Sequence, residues 1–494
     1  MINYKPAFRK LLLKLLKWTE KGSEQAPAVR GGGRRFWQNE IRLPSPLIVA
    51  LCMLAFFVVL IFDVGFAWQK IIGLAIFLSI VYTFLSIYIH FDVRWLLKDD
   101  EAAMLLGLIF VIGILLMQLS KVWISPYATP LAVTAVLTGL LLSKRLALAV
   151  TIILCLIFGV LNNFGQEYTL AKMFGCFAAI AYLPKVRARK DLTRLGLIVA
   201  LANGAMVITI HLYMFGLSSL GNMWTNVMWS AVSGIASGLI VLGILPYLET
   251  FFSRTTNIKL LELADFNQPL LKRLMMDAPG TYHHSLIMAS LAEQTAAAIG
   301  ANSLLARVMA YYHDIGKLLK PEYFIENQQT MGNPHDPLSP TMSSLVVISH
   351  VKEGSALAKQ YNLDKIIVDA IEQHHGTSLI HYFYHRALEA NPNTKPDDFR
   401  YPGPKPLSKE TAILMLADSA EAASRAIEDP SPGRLKDTVE KVINNKFTDG
   451  QFSECSITLH DLSQIAETLA AVLSGIHHAR IEYQKTDSQS NDEN

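Results

Sequence analysis

At 494 residues with 51% hydrophobic residues, the chain is too long for one ordinary domain and too apolar for an ordinary soluble protein. Its formal net charge of +3 averages over segments in different solvents and identifies no partner. The cysteine count excludes a disulfide framework: of four cysteines, Cys52, Cys155 and Cys176 lie in apolar runs, and Cys455 stands alone, which fits a reducing compartment.

The first 44 residues carry five Lys, five Arg and three Glu. They include the amphipathic "FRKLLLKLLKW", a composition suited to the anionic inner face of a membrane. The first apolar run begins near Pro46, too far in and without a small-residue cleavage site, so it does not read as a removable signal peptide.

A spanning helix needs about 20 mostly apolar residues. Six runs qualify: Pro46 to Phe66, Ile71 to Ile89, Ala102 to Ser120, Tyr168 to Pro184, Leu195 to Phe215 and Val227 to Leu248. Two shorter runs, Ala128 to Leu142 and Leu146 to Leu161, read as short spans or as a re-entrant pair. Six or eight spans both return the chain to the side on which it began. With that side cytoplasmic, Arg94 and Lys98, Lys144 and Arg145, and "KVRARK" all fall on inner turns. The loops "NNFGQE" and "GLSSLGN" carry no Lys or Arg, and Lys70 and Lys121 are the exceptions. The expectation is a multi-pass protein of the inner (plasma) membrane, in contact with the lipid bilayer, with its C-terminal half in the cytoplasm.

Asp63 and Lys172 sit near span ends and are expected to snorkel to the surface. In the last span Ser230, Gly234 and Gly238 recur every fourth residue, which offers a face for close helix approach.

Past Glu249 the amphipathic periodicity is helical throughout, and Gly300, Gly316 and Gly376 stand at helix ends, where a left-handed residue is often needed. The fold expected is all-α. A basic segment over 1–45 precedes a polytopic transmembrane helical bundle over 46–250, followed by an all-helical soluble domain over 251–484 and a polar tail over 485–494.

Of 14 histidines, 12 fall in this soluble half. Five of them, His284, His313, His350, His374 and His375, lie on or at the ends of expected helices, and Asp314 and Asp418 accompany them. A lone helical histidine is more often a satisfied core or surface residue than a ligand. Together, however, imidazoles and carboxylates are a suitable donor set for manganese or iron, and the lack of clustered cysteines argues against structural zinc. A helical bundle can bring such ligands to one point. A second His-Asp pair, His335 and Asp336, is flanked by prolines in "NPHDPLSP" and reads as a loop without a ligand role.

The order His284, His313-Asp314, His350, His374-His375, Asp418 resembles the metal-binding pattern of the HD phosphohydrolases. The motifs "APGTYHHS", "YYHDIGK", "PEYFIENQ", "NPHD", "ISHVKEG", "QHHGTSL" and "FRYPGPKP" resemble those of the seven-transmembrane receptor HD family, over the soluble half and most of the membrane half. The resemblance implies a cytoplasmic HD phosphohydrolase domain that hydrolyses a cyclic dinucleotide, cyclic di-AMP foremost, to a linear product in second-messenger signalling. A different phosphate ester, or a receptor that binds a nucleotide without turnover, stays open as an alternative. It also implies two divalent metal ions bridged by Asp314, manganese or iron, one on His284, His313 and Asp418 and the other on His350, His374 and His375. Two cations about 3.5 to 4 Å apart activate water and stabilise both oxygens of an in-line displacement. Lys317 is the expected neutraliser of a phosphate oxygen.

His283 points about 100° away from His284 on a helix and is expected in packing or outside the ligand set. Tyr382, Phe383, Tyr384 and Tyr401 divide between base stacking and core packing. No polymeric nucleic acid is expected, and a homodimer is compatible with the pattern. Only "DVGFAWQK" separates the first two spans, where the family usually carries a large extracellular domain, so the input signal is left open.

Overall fold

The computed structural model describes residues 68–478 except 164, 219, 329–331 and 429. The expected first span, the basic N-terminal segment, Cys52, Asp63 and the polar tail lie outside the described residues. Among the described residues there are helices and no strand, with one isolated antiparallel bridge between Leu379 and Arg400. The chain divides into two compact units that part between Glu262 and Leu263.

The first unit contains α1 (Trp68–Asp92), α2 (Asp100–Trp123), α3 (Ala132–Leu141), α4 (Lys144–Leu161), α5 (Gln166–Tyr182), α6 (Arg189–Phe215), α7 (Leu220–Phe251) and most of α8 (Asn257–Leu263). Of these, α1, α2, α4, α6 and α7 are long and apolar enough to cross a membrane. They are apolar on both faces, as a lipid solvent requires. In α1, Leu74, Leu78, Val81, Leu85 and Ile89 are buried, while Ile72, Ile76, Ile80, Phe84 and Ile87 are exposed.

The two shorter runs prove unequal. The second forms α4, an 18-residue helix whose N-cap Ser143 accepts from Leu146 N at 3.2 Å. The first shrinks to the ten-residue α3 behind a 3-10 turn at Pro126–Ala128. At 1.5 Å per residue α3 is about 15 Å long, too short for a hydrocarbon core of about 30 Å.

Lys172 corrects an expectation: it does not snorkel. It is 2% exposed, and its ammonium donates to the Tyr127 carbonyl at 2.5 Å and to Ser233 Oγ at 2.6 Å. A carbonyl freed by the Pro126–Ala128 turn and a hydroxyl on α7 replace the water that snorkelling would have reached.

The small-residue face of α7 packs against α6. A Cβ at Gly238 would lie 2.5 Å from Leu192 O, and one at Gly234 would collide with the Ala200 backbone. Overpacking of this kind costs about 1 to 3 kcal/mol, more where backbone must move. Gly234→Leu is therefore expected to lower the thermal unfolding midpoint of the detergent-solubilised protein; an unchanged midpoint would show that α6 and α7 separate freely.

The membrane unit does not end at 250. Helix α7 continues to Phe251, and the segment after it is tied back by Arg254 Nη2 to Asp99 Oδ2 at 2.6 Å, both groups buried. Phe252 and Ile258 join the same apolar core.

The second unit contains α9 (Pro269–Asp277), α10 (Pro279–Ala298), α11 (Ser303–Tyr312), α12 (Pro340–Gln360), α13 (Lys365–Gln373), α14 (His381–Ala390), α15 (Lys409–Arg425), α16 (Pro432–Thr448) and α17 (Leu459–His478). Its central helix is α15, capped by Ser408 Oγ accepting from Thr411 N at 3.1 Å. Residues Ala412 to Ala417 are all fully buried, so this helix is wrapped on every side. Gly300 and Gly376 adopt φ of 69° and 56°, as expected of helix ends.

Gly316 does not take a positive φ. It sits in a 3-10 turn at Ile315–Leu319, where a Cβ would collide with the His350 carbonyl. Its glycine serves the close approach of this turn to α12.

Candidate metal centre

Each expected ligand is delivered by a helix or a helix end. Helix α11 begins at N-cap Asn302, buries Leu305, Ala306, Val308, Met309, Ala310 and Tyr312, and ends on His313, so Asp314 opens the 3-10 turn that follows. Helix α13 buries Ile366, Ile367, Val368, Ala370 and Ile371 and ends on His374, with His375 next. His284 comes from α10, His350 from α12 and Asp418 from α15.

These residues converge on Asp314, which is 2% exposed. Its Oδ2 lies 3.1 Å from His313 Nε2 and 3.6 Å from His284 Nε2; its Oδ1 lies 3.4 Å from His350 Nε2 and 3.7 Å from His374 Nε2. Asp418 bridges the two sides, with Oδ1 at 3.2 Å from His284 Nε2 and Oδ2 at 3.7 Å from His375 Nδ1. Donor atoms of Asp314, His350, His374 and His375 fall within 4.8 Å of one another, as do those of His284, His313 and Asp314. All seven expected ligands are thus brought together.

The tautomers follow from the backbone. Nδ1 of His313, His350 and His374 faces the carbonyl three residues earlier, on Ala310, Val347 and Ile371, at 2.8, 2.6 and 2.8 Å. A carbonyl only accepts, so each Nδ1 carries the proton and each Nε2 is left with a lone pair aimed into the cluster. His350 Nε2 and His374 Nε2 then face each other at 3.3 Å, lone pair to lone pair. That is unfavourable unless a cation lies between them. His313 Nε2 and Asp314 Oδ1 are likewise buried without an aligned hydrogen-bond partner among the described residues. The residues present fit a divalent-cation centre with donors on both sides of Asp314.

Burial by itself would raise the Asp314 carboxyl, but the Lys317 ammonium 2.8 Å away helps to outweigh it, and the group is held well below the usual carboxylate range. His374 is pushed down to about 3, chiefly by burial. Burial opposes the charge on His284 too, yet Asp418 and Glu421 outweigh it and lift this imidazole to about 9. Cation uptake must displace that proton. Apparent affinity for manganese is therefore expected to rise with pH from about 6.5 to about 9 and to flatten above. Competition titrations across that range check the slope; an affinity independent of pH would contradict it.

Lys317 is not a solvated lysine. Its ammonium lies 2.8 Å from Asp314 Oδ2 and donates to Glu326 Oε1 at 2.7 Å, over the Phe324 ring. Burial works against its charge, but the two carboxylates keep it protonated far above neutrality. Glu326 was not singled out from the sequence. It is held by Thr281 Oγ1 donating at 3.1 Å, beside a reciprocal pair in which Thr281 N donates to Asn327 Oδ1 and Asn327 Nδ2 donates to Thr281 Oγ1. A Cβ at Gly280 would collide with the Glu326 carbonyl.

His283 is exposed, in edge contact with the Tyr282 ring alone among aromatic groups described, and takes no part in the cluster. His335 also stays outside it: the ring is buried between Tyr323 and Phe383, with Nε2 2.9 Å from Tyr323 O, so it anchors a turn. Phe383 and Tyr401 are buried, Tyr382 is 64% exposed, and Tyr401 stacks on His375 with ring centres 4.2 Å apart.

Residues 68–256 match the family described as 7TM receptor with intracellular HD hydrolase, and residues 281–423 match the HD domain. The chain is 39% identical to the cyclic-di-AMP phosphodiesterase PgpH of Bacillus subtilis over 428 residues, 84% of this chain and 60% of the relative. It is 35% identical to the protein of the same name from Listeria monocytogenes over 421 residues, 83% of this chain and 58% of that one. The chain thus spans about three fifths of the length of these relatives. A crystal structure of the L. monocytogenes PgpH HD domain in complex with cyclic-di-AMP is 49% identical, covering 43% of this chain and 99% of that one, with a TM-score of 0.42.

Proposed function

Because the chain belongs to the 7TM receptors with intracellular HD hydrolase, we propose that it is a membrane-anchored, metal-dependent phosphodiesterase that hydrolyses a cyclic dinucleotide, cyclic di-AMP foremost, to its linear form. The single observation that carries the metal dependence is the pair of imidazole lone pairs facing at 3.3 Å across His350 and His374, beside the buried Asp314 carboxylate. The substrate rests on the identity to relatives named cyclic-di-AMP phosphodiesterase.

In this reading His284, His313, Asp314, His350, His374, His375 and Asp418 would hold two divalent cations, manganese or iron, with Asp314 serving both groups of imidazoles: His284 and His313 near its Oδ2, His350 and His374 near its Oδ1. When bound, such cations supply Lewis acidity that activates water and offsets charge on the attacking and leaving oxygens of a phosphodiester. The chain contributes the rest. Carbonyls of Ala310, Val347 and Ile371 fix which imidazole nitrogen points inward. Lys317, kept charged by Asp314 and Glu326, offsets negative charge at the centre as a phosphate enters. The buried shell around Asp314 excludes bulk water and strengthens each of these interactions.

A panel of cyclic di-AMP, cyclic di-GMP and the mixed cyclic dinucleotide, each with the full-length protein in lipid nanodiscs and manganese, tests the substrate. Preferential linearisation of cyclic di-AMP supports the reading. Equal rates on all three, or binding without turnover, would overturn it.

We further propose that the catalytic half is cytoplasmic, on the charge asymmetry between "KVRARK" and "GLSSLGN". In a cysteine-free background, a cysteine at exposed Ser218 is expected to react with an impermeant thiol reagent in intact cells, and one at exposed Arg187 is not. The reverse pattern contradicts the orientation.

A further inference from the structure

His284 is held differently from its neighbours. His313, His350 and His374 lean on carbonyls of their own helices. The Nδ1 of His284 instead approaches a carboxylate from another helix, Glu421 Oε2, at 3.2 Å. Glu421 is 4% exposed and sits three residues beyond Asp418 on α15. Its other oxygen, Oε1, accepts from Arg425 Nε at 2.7 Å, one further turn along the same helix. A single face of α15 therefore presents a candidate ligand, a carboxylate and the clasp of that carboxylate.

Arg425 Nη2 also lies 3.3 Å from His284 Nδ1. A guanidinium only donates and a carboxylate only accepts, so Nδ1 can satisfy one of them at a time. With a proton it serves Glu421; without one it would serve Arg425 and turn its N–H into the cluster. The carboxylate is the nearer, and a proton held on Nδ1 leaves Nε2, once a cation displaces its own proton, to offer a lone pair on the side of Asp418 Oδ1 and Asp314 Oδ2, which lie 3.2 and 3.6 Å away. A proton on Nε2 would instead block a cation on that side of Asp314.

We infer that Glu421 is a positioning residue for the metal centre: it fixes the tautomer and ring orientation of His284, and Arg425 holds Glu421 in place. This rests on the metal reading proposed above and adds a residue that the sequence pattern did not single out. The carboxylate also makes the imidazole a stronger donor, which is how outer partners of metal-bound histidines act.

The test is cobalt(II) titration of metal-free full-length protein in nanodiscs, read by visible absorption and by chelator competition. Wild type, E421A and the near-isosteric E421Q are compared. E421A is expected to weaken one of two cobalt sites by about 10- to 100-fold and to shift the absorption bands of that site. E421Q, which keeps an oxygen acceptor without its charge, is expected to show a smaller loss in the same direction. Wild-type affinity and spectrum in both variants would overturn the inference. If circular dichroism shows E421A unfolded, E421Q decides: an affinity and spectrum like wild type overturn it. A wild-type protein that takes up no cobalt overturns the metal reading itself, and this inference with it.

Discussion

Asp314→Asn is expected to slow cyclic dinucleotide hydrolysis by more than about a thousandfold, over about 4 kcal/mol of transition-state stabilisation. The substitution keeps the shape of the side chain and removes its charge. Both carboxylate oxygens are engaged, Oδ2 beside His313, His284 and the Lys317 ammonium, Oδ1 beside His350 and His374. An amide must turn its NH2 toward one of these sides. Toward Oδ2 it meets an ammonium at 2.8 Å; toward Oδ1 it occupies lone pairs that a cation would use. Either way one half of the centre is lost while the helices stay folded. Turnover assays alongside circular dichroism check this, and a folded variant with near-normal rate would show that Asp314 is not central.

The second large effect is expected at His350. His350→Ala should reduce bound manganese from about two equivalents per chain to about one, and cut turnover by more than the roughly 10- to 100-fold usual for outer-shell changes. The reason is local. His350 Nε2 contributes both to the pair with His374 at 3.3 Å and to the approach on Asp314 Oδ1 at 3.4 Å. The ring is 1% exposed, so its removal leaves a gap inside the cluster and not at the surface. Elemental analysis of the reconstituted protein gives the count. Two equivalents retained with wild-type turnover would exclude His350 from the site.

Part of this centre was legible because four of its ligands carry a local signal. His313-Asp314 and His374-His375 end apolar helical runs, and a residue at a helix end can be placed without knowing the tertiary fold. The helical class and most of the apolar spans were legible for the same reason. What escaped depended on partners distant in sequence. The acceptors of Lys172 stand 45 and 61 positions away, so nothing near it distinguished an inward lysine from a snorkelling one. Glu326 is brought to Lys317 by a 3-10 turn held on Thr281, 45 residues earlier. Gly316 was misread because glycine marks two needs, a left-handed helix end and the close approach of two backbones, and only packing against His350 tells them apart. The weakness of α3 as a span came from the proline-led turn before it and the serine cap after it, which shorten a run that hydropathy alone extends.

Hydrolysis in oxygen-18 water tests the central claim most directly. The full-length protein in nanodiscs, loaded with manganese, is given cyclic di-AMP in labelled solvent, and the linear product is weighed by mass spectrometry. A metal-assisted attack of water on phosphorus predicts one solvent oxygen in the terminal phosphate of each linear molecule, and no product once the metal is removed by a chelator. Product without solvent oxygen, or product formed equally well by the chelated protein, would contradict the account.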